Sequence, residues 1–127
     1  MGIYLSLIIT DKEDEKSFLK SNQVEERMRL KLDQDYDFFN LFQEVTMVRI
    51  WPVAYARRFP KHTRLVIFED EGPTLVNQDG MGNPLSYFLA GDFKGKKLPK
   101  NASPINRAAI AYLRELPKDF PVVLYWY

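Results

Sequence analysis

Two runs at opposite ends of the chain constrain its fold more than anything between them. Residues 3–10 read Ile-Tyr-Leu-Ser-Leu-Ile-Ile-Thr, and residues 120–127 read Phe-Pro-Val-Val-Leu-Tyr-Trp-Tyr. Both are short, rich in β-branched and aromatic residues, and apolar at nearly every position. A strand covered on both faces has this pattern, whereas a half-exposed strand alternates. A chain with such runs at both ends needs a sheet with a covered interior. The first run stops at the acidic cluster Asp11–Glu15 after about seven apolar residues. A secretory leader would want a basic start, a longer apolar core and a small-residue cleavage site. Gly2 followed by Ser6 matches a myristoylation pattern, but a buried strand explains the same residues.

Between these runs the pattern changes. Val24, Met28 and Leu32 are spaced by four, with Glu25, Glu26, Arg27, Arg29 and Lys31 between them. This predicts helix over 14–32, in one piece or two because Asn22 can interrupt it. Asp37 can cap a second helix over 37–46, whose stripe is Phe38, Leu41, Phe42 and Val45. Residues 46–59 mix strand-like Met47, Val48, Ile50 and Trp51 with helix-like Ala54, Ala56, Arg57 and Arg58, and Pro52 argues against one regular element there. Residues 63–68 predict a strand, 69–73 a turn, Leu75 and Val76 a short edge strand, 77–84 a loop, and 85–90 another strand. Residues 91–101, with four lysines, two glycines and Pro99, read as an exposed loop. Helix follows over 103–116, with Ser103 as cap, Pro104 at the first helical position and Pro117 as the stop.

The expected fold is therefore α+β. One domain over 1–127 would hold a mainly antiparallel sheet of about four to six strands, with two to three helices packed on it. The 127 residues fit one domain, and a hydrophobic fraction of 46% supplies its core. No cysteine is present, which removes disulfides, thiol catalysis and thiolate metal sites and fits a cytoplasmic home. No stretch approaches the ~20 apolar residues of a membrane span.

Motifs of catalysis are missing. The single histidine, His62, sits among Arg57, Arg58, Lys61 and Arg64, where no local carboxylate orients it as a base. Asp33, Asp35, Asp37 and Glu44 fall at positions 1, 3, 5 and 12 of a calcium loop, yet the position that needs glycine holds Phe38. An acidic helix start explains these residues better. The segment 80–84, Gly-Met-Gly-Asn-Pro, lacks the lysine and hydroxyl of a phosphate loop. No metal or cofactor is expected.

Charge is what remains. The net charge is only +1, but residues 1–50 hold ten acids against seven bases, and residues 51–127 seven against eleven. Acids group at Asp33, Asp35 and Asp37, with Tyr36 among them, and at Glu69, Asp70 and Glu71. Bases group at Arg57, Arg58, Lys61 and Arg64, and again at Lys94, Lys96, Lys97 and Lys100. Elimination and charge point to a non-catalytic protein-binding module, in the manner of bacterial immunity proteins that neutralise a toxin enzyme such as a nuclease. Asp33, Asp35, Tyr36, Asp37, Glu69, Asp70 and Glu71 would meet that partner. Two alternatives stand beside it. One is nucleic-acid binding through Arg57, Arg58, Lys61 and Arg64 with the neighbouring aromatics Tyr55 and Phe59. The other is an enzyme built on dispersed acids.

Overall fold

A computed structural model describes residues 2–45, 50–52 and 56–127, with backbone alone for 43–45 and 50–52. The elements run β1 (Leu5–Thr10), α1 (Glu15–Lys20), β2 (Gln23–Lys31), α2 (Tyr36–Phe39), β3 (Gln43–Val45), β4 (Ile50–Pro52), β5 (Arg57–Arg58), β6 (Arg64–Glu69), β7 (Gly72–Val76) and β8 (Ser86–Leu89). A 3-10 turn (Ala90–Phe93), α3 (Pro104–Glu115) and β9 (Pro121–Trp126) complete them. The fold is α+β. A seven-stranded sheet has the order β5-β8-β9-β1-β2-β6-β7, and β3 pairs with β4 separately. Within the large sheet only β2 and β6 run parallel. The strands outnumber the four to six expected.

The terminal runs form the middle of this sheet. β9 lies between β8 and β1, and β1 lies between β9 and β2. Every residue of β1 is buried. Leu5, Leu7 and Ile9 face one core with Val122, Leu124 and Trp126. Ile8 and Val123 face a second core with Phe18, Val24, Leu65, Ile67, Leu85 and Tyr87. That second core joins Leu65 of β6 to Tyr87 of β8, although β9, β1 and β2 separate those strands. The sheet must therefore curl around it, with β5–β8 and β6–β7 approaching each other. On the convex side the first core is closed by α2, α3 and the 3-10 turn. Aromatic rings fill it: Phe42 lies 5.5 Å from Phe88 and 5.1 Å from Phe93, and Phe39 meets Trp126 edge-on at 5.6 Å.

Two helix expectations are corrected. Only Glu15–Lys20 is helical in 14–32, capped by the Asp14 carboxylate on the Ser17 N–H at 2.8 Å. Residues 23–31 are strand, because a spacing of four satisfies a period of two as well as one of 3.6. Met28, Leu30 and Leu32 alternate with Arg29 and Lys31 and pack on the first core. Val24 belongs to the other face. Ile9 pairs with Met28 but Thr10 pairs with Glu26, so Arg27 is an extra residue that reverses the facing of β2. The second helix is one turn rather than ten residues. It starts at Asp35, not Asp37, since Asp35 accepts from the Phe38 N–H at 3.2 Å. Phe38, Phe39 and Phe42 are all fully buried, a wider arc than one helical stripe, and the chain turns after Asn40 to place them.

The helix over Pro104–Glu115 has the expected cap, with Ser103 accepting from the Asn106 N–H at 3.1 Å. The edge strand expected at Leu75 and Val76 extends back to Gly72. Gly72 closes the β6–β7 hairpin at φ 117, a conformation that favours glycine. Within 91–101, Phe93 is buried, so that segment is partly anchored. In 46–59, residues 50–52 and 57–58 are strand, and 46–49 and 53–55 lie outside the described residues.

Candidate functional site

The two acidic groups are about thirty residues apart in sequence, and the topology brings them to the same end of the sheet. β2 and β6 run parallel, so their carboxyl ends point the same way. Asp33, Asp35 and Asp37 follow β2, and Glu69, Asp70 and Glu71 form the β6–β7 tip. The amino end of β1 and the carboxyl end of β9 arrive there too, because β2 and β9 both flank β1 in antiparallel register.

Each acid is held differently. Asp33 is fixed through its backbone: its N–H donates to Asn106 Oδ1 at 2.8 Å, and its carbonyl accepts from Asn106 Nδ2 at 3.1 Å. Its carboxylate stays exposed, as does that of Asp37. Asp35 is half-buried and occupied as the α2 cap. Tyr36 is also half-buried, its hydroxyl accepting from the Ile3 N–H at 3.1 Å. Between them opens a shallow hollow of about 560 Å³ lined by Gly2, Tyr4, Gln34, Asp35, Tyr36 and Asp37. All three acids of the hairpin tip are exposed.

Apolar and aromatic side chains accompany these charges, and of them Tyr4, Phe68 and Leu75 were not singled out from the sequence as contact residues. Tyr4 and Tyr127 stack at 5.6 Å and stay 40% and 38% exposed. On the hairpin, Phe68 and Leu75 are each 53% exposed. Register places Val66, Phe68 and Leu75 on one face, since Leu75 pairs directly with Val66. Pro73 sits on the outermost strand, where a missing N–H blunts the edge against strand addition.

The bulge at Arg27 positions this hairpin. Ladder pairing of β2 with β6 ends at Glu25 and Val66. Beyond it, Glu26 Oε1 accepts the Phe68 N–H at 3.1 Å while the same carboxylate holds Arg29 at 2.7 and 3.2 Å. Arg29 in turn lies 5.2 Å over the Tyr125 ring. Burial raises the pKa of the Tyr125 hydroxyl, Arg29 opposes it, and the charges of Asp79, Glu69 and Glu26 add to the rise. The tip and the end of β9 thus share one electrostatic environment.

The basic segment does not act as a unit. Arg57 reaches Asp92 at 3.1 Å and Glu15 at 3.6 Å, and the Tyr87 hydroxyl donates to Glu15 at 2.9 Å. This network ties α1, β5, β8 and the 3-10 turn together. Burial, then the bond and charge of Glu15, push the Tyr87 pKa well up, so it stays a donor. Arg58, Lys61 and Arg64 instead line a groove of about 540 Å³ with Phe59, Pro60, Thr63, Asn77, Pro84 and Leu85. His62, exposed, donates from Nε2 to the Leu19 carbonyl at 3.1 Å. In the lysine segment, the Lys96 ammonium lies 6.0 Å over Phe93, and Arg114 donates to the Lys96 carbonyl at 2.6 Å.

Among the described residues, no three His, Cys, Asp or Glu side chains are placed to hold a metal ion, and no helix is long and apolar enough to cross a membrane. In comparisons with protein-family models, curated proteins and solved structures, no match to the chain was found.

Proposed function

We propose that this chain is a protein-binding module whose acidic sheet end docks a basic partner. The supporting observation is that Asp33 and Asp37 follow β2 and Glu69, Asp70 and Glu71 follow β6 at the carboxyl ends of two parallel strands, the end of the sheet where the Tyr4–Tyr127 pair and Phe68 are also exposed. Tyrosine and phenylalanine supply contact area at the centre of interfaces, and a charged rim steers encounter. Asp35 and Tyr36 shape the hollow rather than reach out, since both already have backbone partners.

The partner class follows from charge. A basic cleft that holds nucleic acid in a nuclease is complementary to such a face, which is the immunity-type reading. The test is affinity capture from the source cells with wild type, with E69Q/D70N/E71Q and with F68S/L75T, followed by binding kinetics on the captured protein. Neutralising the tip should slow association and flatten its salt dependence. Removing the apolar pair should speed dissociation at least tenfold. Equal kinetics for all three proteins would reject this surface.

A further inference from the structure

The seam of the curled sheet is a second, oppositely charged feature. Arg58 ends β5 and Leu85 precedes β8 on one side, while Arg64 opens β6 and Asn77 follows β7 on the other. These are the two flanks of the seven-stranded sheet, and they come together here, joined by an isolated bridge of Gln78 with Pro84 rather than by a ladder. What lines the gap is selective. Three cations surround it, Phe59, Pro60, Pro84 and Leu85 supply apolar surface, and no carboxylate contributes.

The cations are available. Arg58 and Lys61 are exposed, and among the described residues neither lies within 4.0 Å of an acid. Arg64 uses one guanidinium nitrogen on the Lys61 carbonyl at 2.8 Å, which fixes the 61–63 turn and leaves its remaining donors. Phe59 is braced from below, edge-on to Phe18 at 5.1 Å and to Tyr87 at 6.2 Å. Three like charges around one gap repel each other, so an unliganded groove of this kind carries an electrostatic cost that an anion relieves. The apolar floor disfavours a bare hydrated ion and favours a ligand that joins an anionic group to an unsaturated or apolar body.

We propose that this seam binds a phosphate ester of a nucleotide, either a free nucleotide or one unit of a single strand. Arg58, Lys61 and Arg64 hold the phosphate, and the base lies against the Phe59–Leu85 floor. The proposal does not rest on the docking role proposed for the acidic end, and either can fail without the other.

The test is fluorescence anisotropy with a labelled short oligothymidylate, at low and at physiological salt, with thymidine monophosphate and inorganic phosphate as competitors. The strand should bind at low salt, and the log–log salt slope should be about −2, from three contacts at about −0.7 each. R58Q/K61Q removes two of those contacts in exposed positions and should weaken binding at least tenfold and flatten the slope to about −0.7. Displacement by the mononucleotide assigns the free compound as sufficient ligand, and displacement only by a second strand assigns the polymer. No binding of any probe at low salt, or equal binding by R58Q/K61Q, would overturn the proposal.

Discussion

Asn106 offers the sharpest test of how the acidic end is built. It is fully buried in the first turn of α3, and its amide makes a two-way bond with the Asp33 backbone across 73 residues of sequence. The side chain imitates a strand partner for the residue two positions beyond the end of β2. Asn106→Ala removes both partners at once and leaves an N–H and a carbonyl facing a small void. Each lost bond is worth about 1 kcal/mol net, and each unpaired buried group costs about 1–3 kcal/mol, less where water reaches it. The expected destabilisation is about 2–4 kcal/mol, or about 6–16 °C in Tm at this chain length. Asn106→Asp separates the two bonds. It keeps an acceptor for the Asp33 N–H but sets a carboxylate against the Asp33 carbonyl, so it should be no better than alanine at neutral pH and should recover in acid. Thermal melts of the three proteins at neutral and acidic pH decide the matter. A loss below about 0.5 kcal/mol for Asn106→Ala would refute the reasoning, since it would mean that the bonds are not formed or not buried.

Three further outcomes follow from particular side chains. Ser6 is fully buried in β1 with a hydroxyl that has no hydrogen-bond partner among the described residues, so Ser6→Ala should stabilise by about 1 kcal/mol in denaturant melts, and a comparable loss would mean an unseen partner. Asp79 is buried, and desolvation raises its pKa above 3.8 despite bonds from the Met81 and Asn83 N–H groups. A raised folded value means that its protonated form favours the fold below the ordinary range and that this advantage is lost as pH rises through the folded pKa. Wild type should therefore lose stability relative to Asp79→Asn across that window, and the opposite slope would contradict the burial. Glu26→Ala leaves the Phe68 N–H and Arg29 without their acceptor, so hydrogen exchange should quicken at Phe68 and along 72–76 before it quickens in β1.

Legibility in the sequence divided along physical lines. The runs at 3–10 and 120–127 announced themselves because burial on both faces leaves no competing pattern, and α3 did so because Ser103, Pro104 and Pro117 mark its ends chemically. β2 was misread because four-residue spacing fits two periods, and the bulge at Arg27 put Val24 and Met28 on opposite faces. The alternation from Met28 to Leu32 was the signal to weigh. At the candidate site, both acidic groups were visible as residue types. Their convergence was not, because it depends on β6 joining β2 in parallel, a long-range pairing with no local mark. Arg57 looked like its neighbours in sequence and is set apart by Glu15 and Asp92, which lie 42 and 35 positions away.

The central claim is that the acidic end of the sheet is the binding face, and hydrogen exchange on the complex with a captured basic partner tests it most directly. Protection should rise in residues 33–37 and 68–75 and around Tyr4 and Tyr127, while the seam at 58–64 stays unchanged. Protection confined to the seam or to the outer face of α3, with 68–75 exchanging as in the free protein, would contradict it.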